Sequence, residues 1–258
     1  MRCRVCFFLI TNFQREFIMG HSFITYAVVD DRAPEALCKM LEADGFRLIR
    51  IPCFPLLSEP VCGHPDMVIF PLGNTVFCHR DYFPIASKAL SPLVGAGYSL
   101  RTVDDPVSSY YPEEAQLDLL TVGKFLFANP KSAARLLLTE GEKAGFTRVS
   151  VRQGYTRCSV CRVSDDAIIT ADRGIARAAE AHGLSCLLIR PGHILLPGVS
   201  YGLIGGTGGL YRDTVWFSGD LSAHPDGEAI AGFCAAHGKK VRYPAGKPLL
   251  DIGSIFFL

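Results

Sequence analysis

The sequence from Ser159 to Ile189 reads SVCRVSDDAIITADRGIARAAEAHGLSCLLI and contains one complete structural unit. It begins with two β-type runs, SVCRV and AIIT, which the polar turn SDD separates. Asp172 is a candidate N-cap for the amphipathic helix that follows. Gly183 suits the C-terminal end of that helix, and the apolar run LSCLLI supplies a third strand. The stretch therefore predicts a strand–strand–helix–strand unit.

The same order of elements recurs at intervals near forty residues, which is typical of a repeat architecture. Pro92 is expected to end the helix of the second unit. In the third unit Asn129 is a candidate N-cap, with Pro130 at the first helical position. The fifth unit is predicted to open with a strand at Tyr201–Ile204, followed by a glycine-rich turn. The second, third and fifth units are predicted at 67–103, 117–151 and 201–243.

The first unit, at 23–51, supplies only a strand, a helix and a strand. Residues 249–258 are left over after the fifth unit and can donate the missing strand. Joining the two ends closes the ring and removes exposed sheet edges. An open α/β sheet with irregular hairpins is the alternative. The sequence favours an α/β fold, a five-bladed propeller of five strand–strand–helix–strand units closed by the C-terminal strand.

Composition and charge limit the class of protein. Hydrophobic residues make up 49% of the chain and charged residues 20%, which is typical of a globular protein and excludes a disordered one. The net charge of +1 gives no basic surface for nucleic acid. No apolar run is long enough to span a bilayer, so no membrane association is predicted. Cytoplasmic localisation is the default expectation.

The chain is predicted to divide into residues 1–20, a disordered or non-native N-terminal extension, and residues 21–258, a single domain. Met19-Gly20-His21 looks like a true start, and Arg2 and Arg4 precede an apolar run without a signal-peptide cleavage site.

The ten cysteines are scattered through apolar stretches, as reduced thiols are. Cys158 and Cys161 form a C-x-x-C pair, and so do Cys3 and Cys6. On a strand, residues three apart point to opposite faces, so Cys158 and Cys161 do not chelate one ion easily. No metal and no cofactor are therefore predicted.

Three carboxylates occupy equivalent places in the predicted units. Asp66, Asp118 and Asp251 each precede an apolar first strand, while Cys158 and Gly202 occupy the matching places in units four and five. If the units share an axis, these positions form a ring at its mouth. Grouped carboxylates suit a guanidinium or amine ligand. Alternatively, each Asp caps a turn or pairs with an Arg of its own.

The chain resembles a pentein, the fold of guanidine-modifying enzymes such as arginine deiminase, and more closely an uncharacterised bacterial family assigned to that fold. The strings that carry the resemblance are CSVCRVSDDAIITAD from Cys158, YGLIGG from Tyr201, FSGDLSAHPD from Phe217 and DIGSIFFL from Asp251. It covers most of the chain after residue 20.

In catalytic penteins a Cys on the last strand attacks the guanidinium carbon, a His handles protons and carboxylates bind the guanidinium nitrogens. This chain departs from that pattern. No Cys follows Cys234, and Tyr211 falls where the His is expected. The resemblance therefore implies the fold without the enzymes' chemistry.

The candidate ligand-binding residues are Asp66, Asp118, Asp251 and Ser254, for a small cationic, guanidino or amino-acid-like ligand at the axis. The catalytic candidates are Cys158, by position, and His193 as a proton carrier, with His64 a weaker candidate. The alternative functions are a catalytically inactive scaffold or interaction module, or a hydrolase that uses Cys158. The segment 104–116 is either a lid over the centre or a surface excursion.

Overall fold

The computed structural model describes residues 24–258. The predicted extension at 1–20 lies outside this range, and the division of the chain into extension and domain stays a prediction. The elements, in chain order, are β1 (Tyr26–Asp30), α1 (Glu35–Ala43), β2 (Arg47–Ile51), α2 (Pro65–Val68), β3 (Ile69–Leu72), β4 (Thr75–His79), α3 (Phe83–Gly95), β5 (Ser99–Val103), β6 (Leu120–Val122), β7 (Phe125–Ala128), α4 (Arg135–Lys143), β8 (Thr147–Ser150), β9 (Val160–Arg162), β10 (Ala167–Thr170), α5 (Arg173–Ala181), β11 (Ser185–Leu188), β12 (Gly208–Tyr211), β13 (Thr214–Phe217), α6 (Gly227–Ala236), β14 (Lys240–Arg242) and β15 (Phe256–Phe257).

These strands form five three-stranded sheets of one design. In each sheet the central strand pairs antiparallel with the first strand of the unit and parallel with the third strand of the unit. A helix connects the two parallel strands. The sheets are β15-β1-β2, β3-β4-β5, β6-β7-β8, β9-β10-β11 and β12-β13-β14. The prediction of five strand–strand–helix–strand units is confirmed.

The C-terminal strand completes the first unit. β15 pairs antiparallel with β1, with Ala27 opposite Phe257 and Val28 opposite Phe256. Two backbone hydrogen bonds between Tyr26 and Leu258, of 2.7 and 2.9 Å, extend the pairing. The ends of the described chain therefore belong to one sheet, as the leftover C-terminal segment predicted.

The first strands of all five units border one cavity of about 170 Å³. Each unit thus presents its first strand to the common cavity, and none of the lining residues belongs to a helix. The residues around the cavity are Phe70, Pro71, Leu119, Leu120, Thr121, Arg157, Arg162, Leu210 and the C-terminal run Ile255, Phe256, Phe257 and Leu258.

Unit four follows its sequence signals closely. The Asp172 carboxylate accepts hydrogen bonds from the backbone N–H groups of Gly174 (2.7 Å) and Ile175 (2.8 Å), so it caps α5 as predicted. Ile175 and Ala179 are fully buried on the inner face of that helix. Gly183 ends the helix at φ +80°, a conformation that glycine adopts without steric cost.

Pro92 does not end its helix. α3 continues through Pro92 to Gly95. A proline in this position leaves the carbonyl of Lys88 without its helical N–H donor. The hydroxyl of Ser91 donates to that carbonyl instead, at 2.8 Å. The expected break is therefore compensated by a neighbouring side chain.

The third helix starts later than predicted. α4 begins at Arg135, five residues beyond Pro130. Asn129 does act as a turn residue, because its side-chain oxygen accepts from the N–H of Lys131 at 3.0 Å. The Asn-Pro signal therefore marks a turn, and its interpretation as the start of the helix is wrong.

The first strand of unit five is also displaced. β12 is Gly208–Tyr211, inside the stretch predicted as a turn, while Tyr201–Ile204 is not a strand. A side chain on Gly208 would overlap the backbone of Trp216, and one on Gly209 would overlap that of Ile255. Glycine is needed here because three backbones approach closely.

Within residues 24–258, no helix has the length and apolar character that crossing a membrane requires. The eight cysteines in this range are all unbridged.

Candidate functional site

Asp66 lies at the start of α2 and joins three units of the fold. Its side chain is fully buried. Its Oδ2 atom accepts a hydrogen bond from the Ser254 hydroxyl at 2.6 Å and from the Cys158 thiol at 3.0 Å. The other oxygen, Oδ1, has no hydrogen-bond partner in the described chain. Two predicted ligand-binding residues and one predicted nucleophile are therefore in direct contact.

Asp118 lies two residues before β6 and faces the start of unit four. Its Oδ1 accepts hydrogen bonds from the backbone N–H groups of Arg157 and Cys158, the latter at 3.2 Å. Its Oδ2 has no hydrogen-bond partner in the described chain. Asp118 thus holds the backbone that positions the Cys158 thiol, and it keeps one acceptor free.

Asp251 approaches from the C-terminal segment. It accepts hydrogen bonds from the N–H groups of Leu203 (2.7 Å) and Gly253 (3.1 Å). Its Oδ1 also lies 3.7 Å from Nδ1 of His64, which is 1% exposed. The sequence ranked His64 as a weak candidate, yet the structure places it beside a ring carboxylate. We call His64, Asp66, Asp118, Cys158, Asp251 and Ser254 the buried acidic cluster.

The electrostatics of the cluster favour the protonated forms of Asp118, Asp251 and Cys158. Burial, reinforced by the charge of Asp66, raises the pKa of Asp118 well above its ordinary value. Burial also raises the pKa of Asp251. Burial, then the charges of Asp118, Asp66 and Asp251, raise the pKa of the Cys158 thiol far above its usual range. Without a cation, Cys158 is therefore a neutral thiol and a poor nucleophile.

The register of the strands redefines the ring. In four units, the equivalent residue lies two places before the first strand: Ser254 in unit one, Asp118 in unit three, Cys158 in unit four and Gly206 in unit five. In unit two, Asp66 lies three places before the first strand. Gly206, rather than the predicted Gly202, is therefore the equivalent position in unit five. Asp251 extends into the ring from the segment before Ser254. The displaced β12 explains why the sequence aligned Gly202.

Ser254 has a strained backbone. Its φ of +71° lies in the left-handed region that non-glycine residues rarely adopt. The conformation is fixed by the bond from its N–H to the carbonyl of Gly206 (3.0 Å) and by its hydroxyl contacts with Asp66 and with the Gly205 carbonyl (3.0 Å). Strain of this kind is typical of functional sites.

Three other residues singled out in the sequence lie elsewhere. His193 is exposed, and its ring packs against that of His224 with the centroids 5.5 Å apart. Cys161 is buried in a separate apolar cluster. The Tyr211 hydroxyl is 3.0 Å from that of Thr25, within hydrogen-bond distance, and its ring packs against Phe257. None of the described contacts joins these side chains to the buried acidic cluster.

Glu114 connects the segments that precede Asp66 and Cys158. Its carboxylate accepts hydrogen bonds from the Ser58 hydroxyl at 2.8 Å and from the Tyr155 hydroxyl. The segment 104–116, predicted as lid or surface excursion, therefore links the loop before His64 to the loop before Cys158. The axial cavity is lined by other residues, and the members of the cluster are all at most 3% exposed.

Close packing of glycine against Asp251 gives a first prediction. A Cβ atom on Gly206 would overlap the Asp251 carboxylate, so Gly206→Ala should destabilise the protein by about 1–3 kcal/mol. Gly232, inside α6, has open space around it, so Gly232→Ala should instead stabilise by about 0.5–1 kcal/mol through helix propensity. Denaturant unfolding of both variants measures the difference. Equal effects of the two substitutions would contradict the packing described here.

A protein-family model, described as "Family of unknown function (DUF6873)", matches residues 28–256. No curated protein matches the sequence significantly. Among solved structures, the fold is similar to that of SxtG, an amidinotransferase from Microseira wollei in the saxitoxin biosynthetic pathway. That structure gives a TM-score of 0.54 at 12% identity, with 85% of this chain and 88% of that chain covered.

Two further structures are similar to the same extent. One is the dimethylarginine dimethylaminohydrolase of Pseudomonas aeruginosa, a Cys-to-Ser mutant complexed with citrulline, with a TM-score of 0.53 at 9% identity over 86% of this chain and 93% of that one. The other is an inosamine-phosphate amidinotransferase from Streptomyces griseus, with a TM-score of 0.54 at 14% identity over 84% and 78%. Such identities show a shared fold alone, and they confirm the pentein-like architecture.

Proposed function

The chain belongs to this family of unknown function, and we propose that it binds a small organic cation, of the guanidino or amino-acid-like class, at the buried acidic cluster. The observation that carries the proposal is that Asp66 and Asp118 each keep one buried carboxylate oxygen without a partner. Within residues 24–258, the His64 imidazole is the one basic side chain found within 4.0 Å of a cluster carboxylate, at 3.7 Å from Asp251. A cation with several N–H donors supplies both the missing charge and the missing hydrogen bonds.

The similar solved structures support the choice of ligand class. They are amidinotransferases and a dimethylarginine dimethylaminohydrolase, the latter with bound citrulline. In the proposal, Asp66, Asp118 and Asp251 face the ligand, and Ser254 holds Asp66 in place. Because the cluster is buried, the ligand gains access when the Ser58–Glu114–Tyr155 connection opens.

The second candidate is a catalytically inactive scaffold or interaction module. The burial of all six cluster side chains favours it, since a packed centre needs no ligand. A hydrolase that uses Cys158 is less well supported, because the raised pKa of the thiol suppresses the thiolate.

A thermal-shift screen against guanidino compounds, amines and amino acids separates the first two candidates. A compound that binds only the folded protein stabilises it by about 2.7 kcal/mol at a hundredfold excess over its Kd, which raises Tm by about 5–10 °C. The proposal expects a shift with a guanidino or amino compound and none with Asp118→Asn. A screen without any shift would favour the scaffold.

The Asp118→Asn variant should itself be more stable than the wild type without ligand. The introduced amide would keep an oxygen for the two backbone N–H groups and would remove the repulsion with Asp66. We expect a gain of about 1 kcal/mol, or about 2–4 °C in Tm, at neutral pH. Asp104→Asn, at an exposed carboxylate paired with Arg80, is the matched control and should change stability by less than about 0.5 kcal/mol.

The gain from Asp118→Asn should depend on pH with a defined sign. The raised pKa means that the folded protein binds a proton more tightly than the unfolded chain does. Wild-type stability from this group is therefore lost as the pH rises from the ordinary value of about 3.9 toward the raised value. The advantage of the variant should grow over the same interval. A lower Tm for Asp118→Asn at neutral pH would show that Asp118 stabilises the fold.

A further inference from the structure

His64, Asp66 and Cys158 bring three different metal-ligating groups together. Each residue offers one atom that could bind a metal ion, and these three atoms lie within 4.8 Å of one another. The residues are 1%, 0% and 3% exposed. An imidazole, a carboxylate and a thiol, contributed by two distant parts of the chain, therefore converge in the protein interior.

Two atoms of this group are without hydrogen-bond partners. Nδ1 of His64 and Oδ1 of Asp66 have none in the described part of the chain. Buried polar atoms in native proteins nearly always have partners, and leaving one without a partner costs about 1–3 kcal/mol. Nδ1 of His64 lies 3.7 Å from Asp251 within the cluster, and Oδ1 of Asp66 belongs to the carboxylate whose other oxygen is 3.0 Å from the Cys158 thiol.

The donor set selects the class of ion. Calcium and magnesium prefer oxygen ligands, whereas a mixed set of imidazole, carboxylate and thiolate is typical of zinc. In a tetrahedral site with bonds of about 2.0–2.3 Å, the ligand atoms are separated by roughly 3.3–3.8 Å. Separations of up to 4.8 Å, with one of 3.0 Å, need only small adjustments of the side chains.

We propose that His64, Asp66 and Cys158 bind a divalent metal ion of the zinc class. Asp118 and Asp251 lie beside these ligands in the same cluster. With three protein ligands, a tetrahedral ion keeps one position for a further ligand. Binding replaces the hydrogen of the Cys158 thiol by the metal, and that proton leaves to solvent.

The proposal goes beyond the organic-cation site and does not depend on it, although both use Asp66. A zinc ion and an organic cation therefore compete for the cluster. The sequence disfavoured a zinc site on Cys158 and Cys161, and in the structure Cys161 is buried in another cluster. The proposed partners of Cys158 come instead from more than ninety residues earlier in the chain.

The test measures metal content directly. The full chain carries Cys3→Ser and Cys6→Ser in all samples, which removes the other C-x-x-C pair as a source of zinc. The protein is stripped with chelator, reloaded with zinc, passed through a desalting column and analysed by mass spectrometry of the metal. We expect about one zinc per chain, and less than about a tenth of that in Cys158→Ser and in His64→Gln. The matched control, Cys161→Ser, should retain the full amount.

Cobalt supplies a second readout that requires the thiolate itself. Co(II) bound by Cys158 should give a near-ultraviolet sulfur-to-cobalt charge-transfer band, which disappears in Cys158→Ser and persists in Cys161→Ser. Circular dichroism shows whether each variant is folded, and only folded variants are compared. Absence of zinc from the reloaded chain, or full zinc content and an intact band in Cys158→Ser, would overturn the proposal.

The two proposals can fail separately. The thermal-shift screen is run on metal-free protein, so a guanidino compound that binds there supports the organic-cation site alone. Zinc content without any organic ligand supports the metal site alone. If both bind, added zinc should reduce the thermal shift by the organic cation, and Asp66→Asn should abolish both.

Discussion

Removal of Phe256, Phe257 and Leu258 should abolish cooperative folding. These residues supply the antiparallel neighbour of β1, so their loss leaves the backbone groups of that strand unpaired at an exposed edge. The ring of Phe257 also lies 4.8 Å from that of Phe46 and 5.4 Å from that of Tyr211. Full burial of a large apolar side chain contributes about 1.5–3 kcal/mol, and these three half-buried side chains each contribute part of that, against a total stability of only about 5–15 kcal/mol for a typical protein.

Thermal unfolding followed by circular dichroism, with size-exclusion chromatography, measures the effect of this truncation. The truncated chain should lack a sharp transition and should associate through β1. Phe257→Ala is the control, because it removes one ring and keeps the strand. It should unfold cooperatively, with a loss of about 2–4 kcal/mol. A truncated chain that melts within a few degrees of the wild type would show that the fold does not need its closing strand.

Acidification from about pH 6.5 to about pH 4.5 should destabilise the protein through His79. This residue ends β4, is 1% exposed, and packs with its ring 5.7 Å from that of Phe54. Burial lowers the pKa of His79 to about 4, and the nearby charge of Asp81 offsets only part of the effect. The unfolded chain therefore takes up a proton near pH 6.5, whereas the folded protein does not.

Stability from His79 is consequently complete above pH 6.5 and is lost as the pH falls toward 4. The full difference in pKa corresponds to about 3 kcal/mol. Chemical unfolding between about pH 7 and about pH 4.5 should show this loss in the wild type, and a much smaller one in His79→Gln. His182→Gln, at an exposed helix end, should keep the wild-type dependence on pH. If the free energy of unfolding of His79→Gln fell with pH as steeply as that of the wild type, His79 would be excluded as the source of the pH dependence.

The repeated units could be predicted from the sequence because their signals are local. In unit four the cap at Asp172, the buried stripe of α5 and the glycine at its end all act within a few residues. The sequence did not predict the secondary structure correctly where contacts between distant parts of the chain determine it. The glycines of β12 suggest a turn because their role, the close approach of three backbones, is visible only in the folded protein.

The candidate site could be predicted as far as it depends on local sequence position, but not where it depends on contacts between distant segments. Their positions shortly before the first strands identified Asp66, Asp118 and Cys158, and the structure brings them together. His64 was undervalued, since its approach to Asp251 joins segments far apart in the chain. The burial of the cluster could not be predicted, because it depends on how loops of several units pack.

The pairing of β15 with β1 also has a consequence for synthesis of the protein. β1 leaves the ribosome first among the described strands, and its antiparallel neighbour is translated more than two hundred residues later. At about 5–20 residues per second, β1 waits roughly 10–50 seconds for that neighbour. Units two to five can form while the chain is still being made, but the first sheet is completed only when the last segment emerges. A free strand edge is a site where other chains can pair, so the edge of β1 that is not covered by β2 needs protection until β15 has been made.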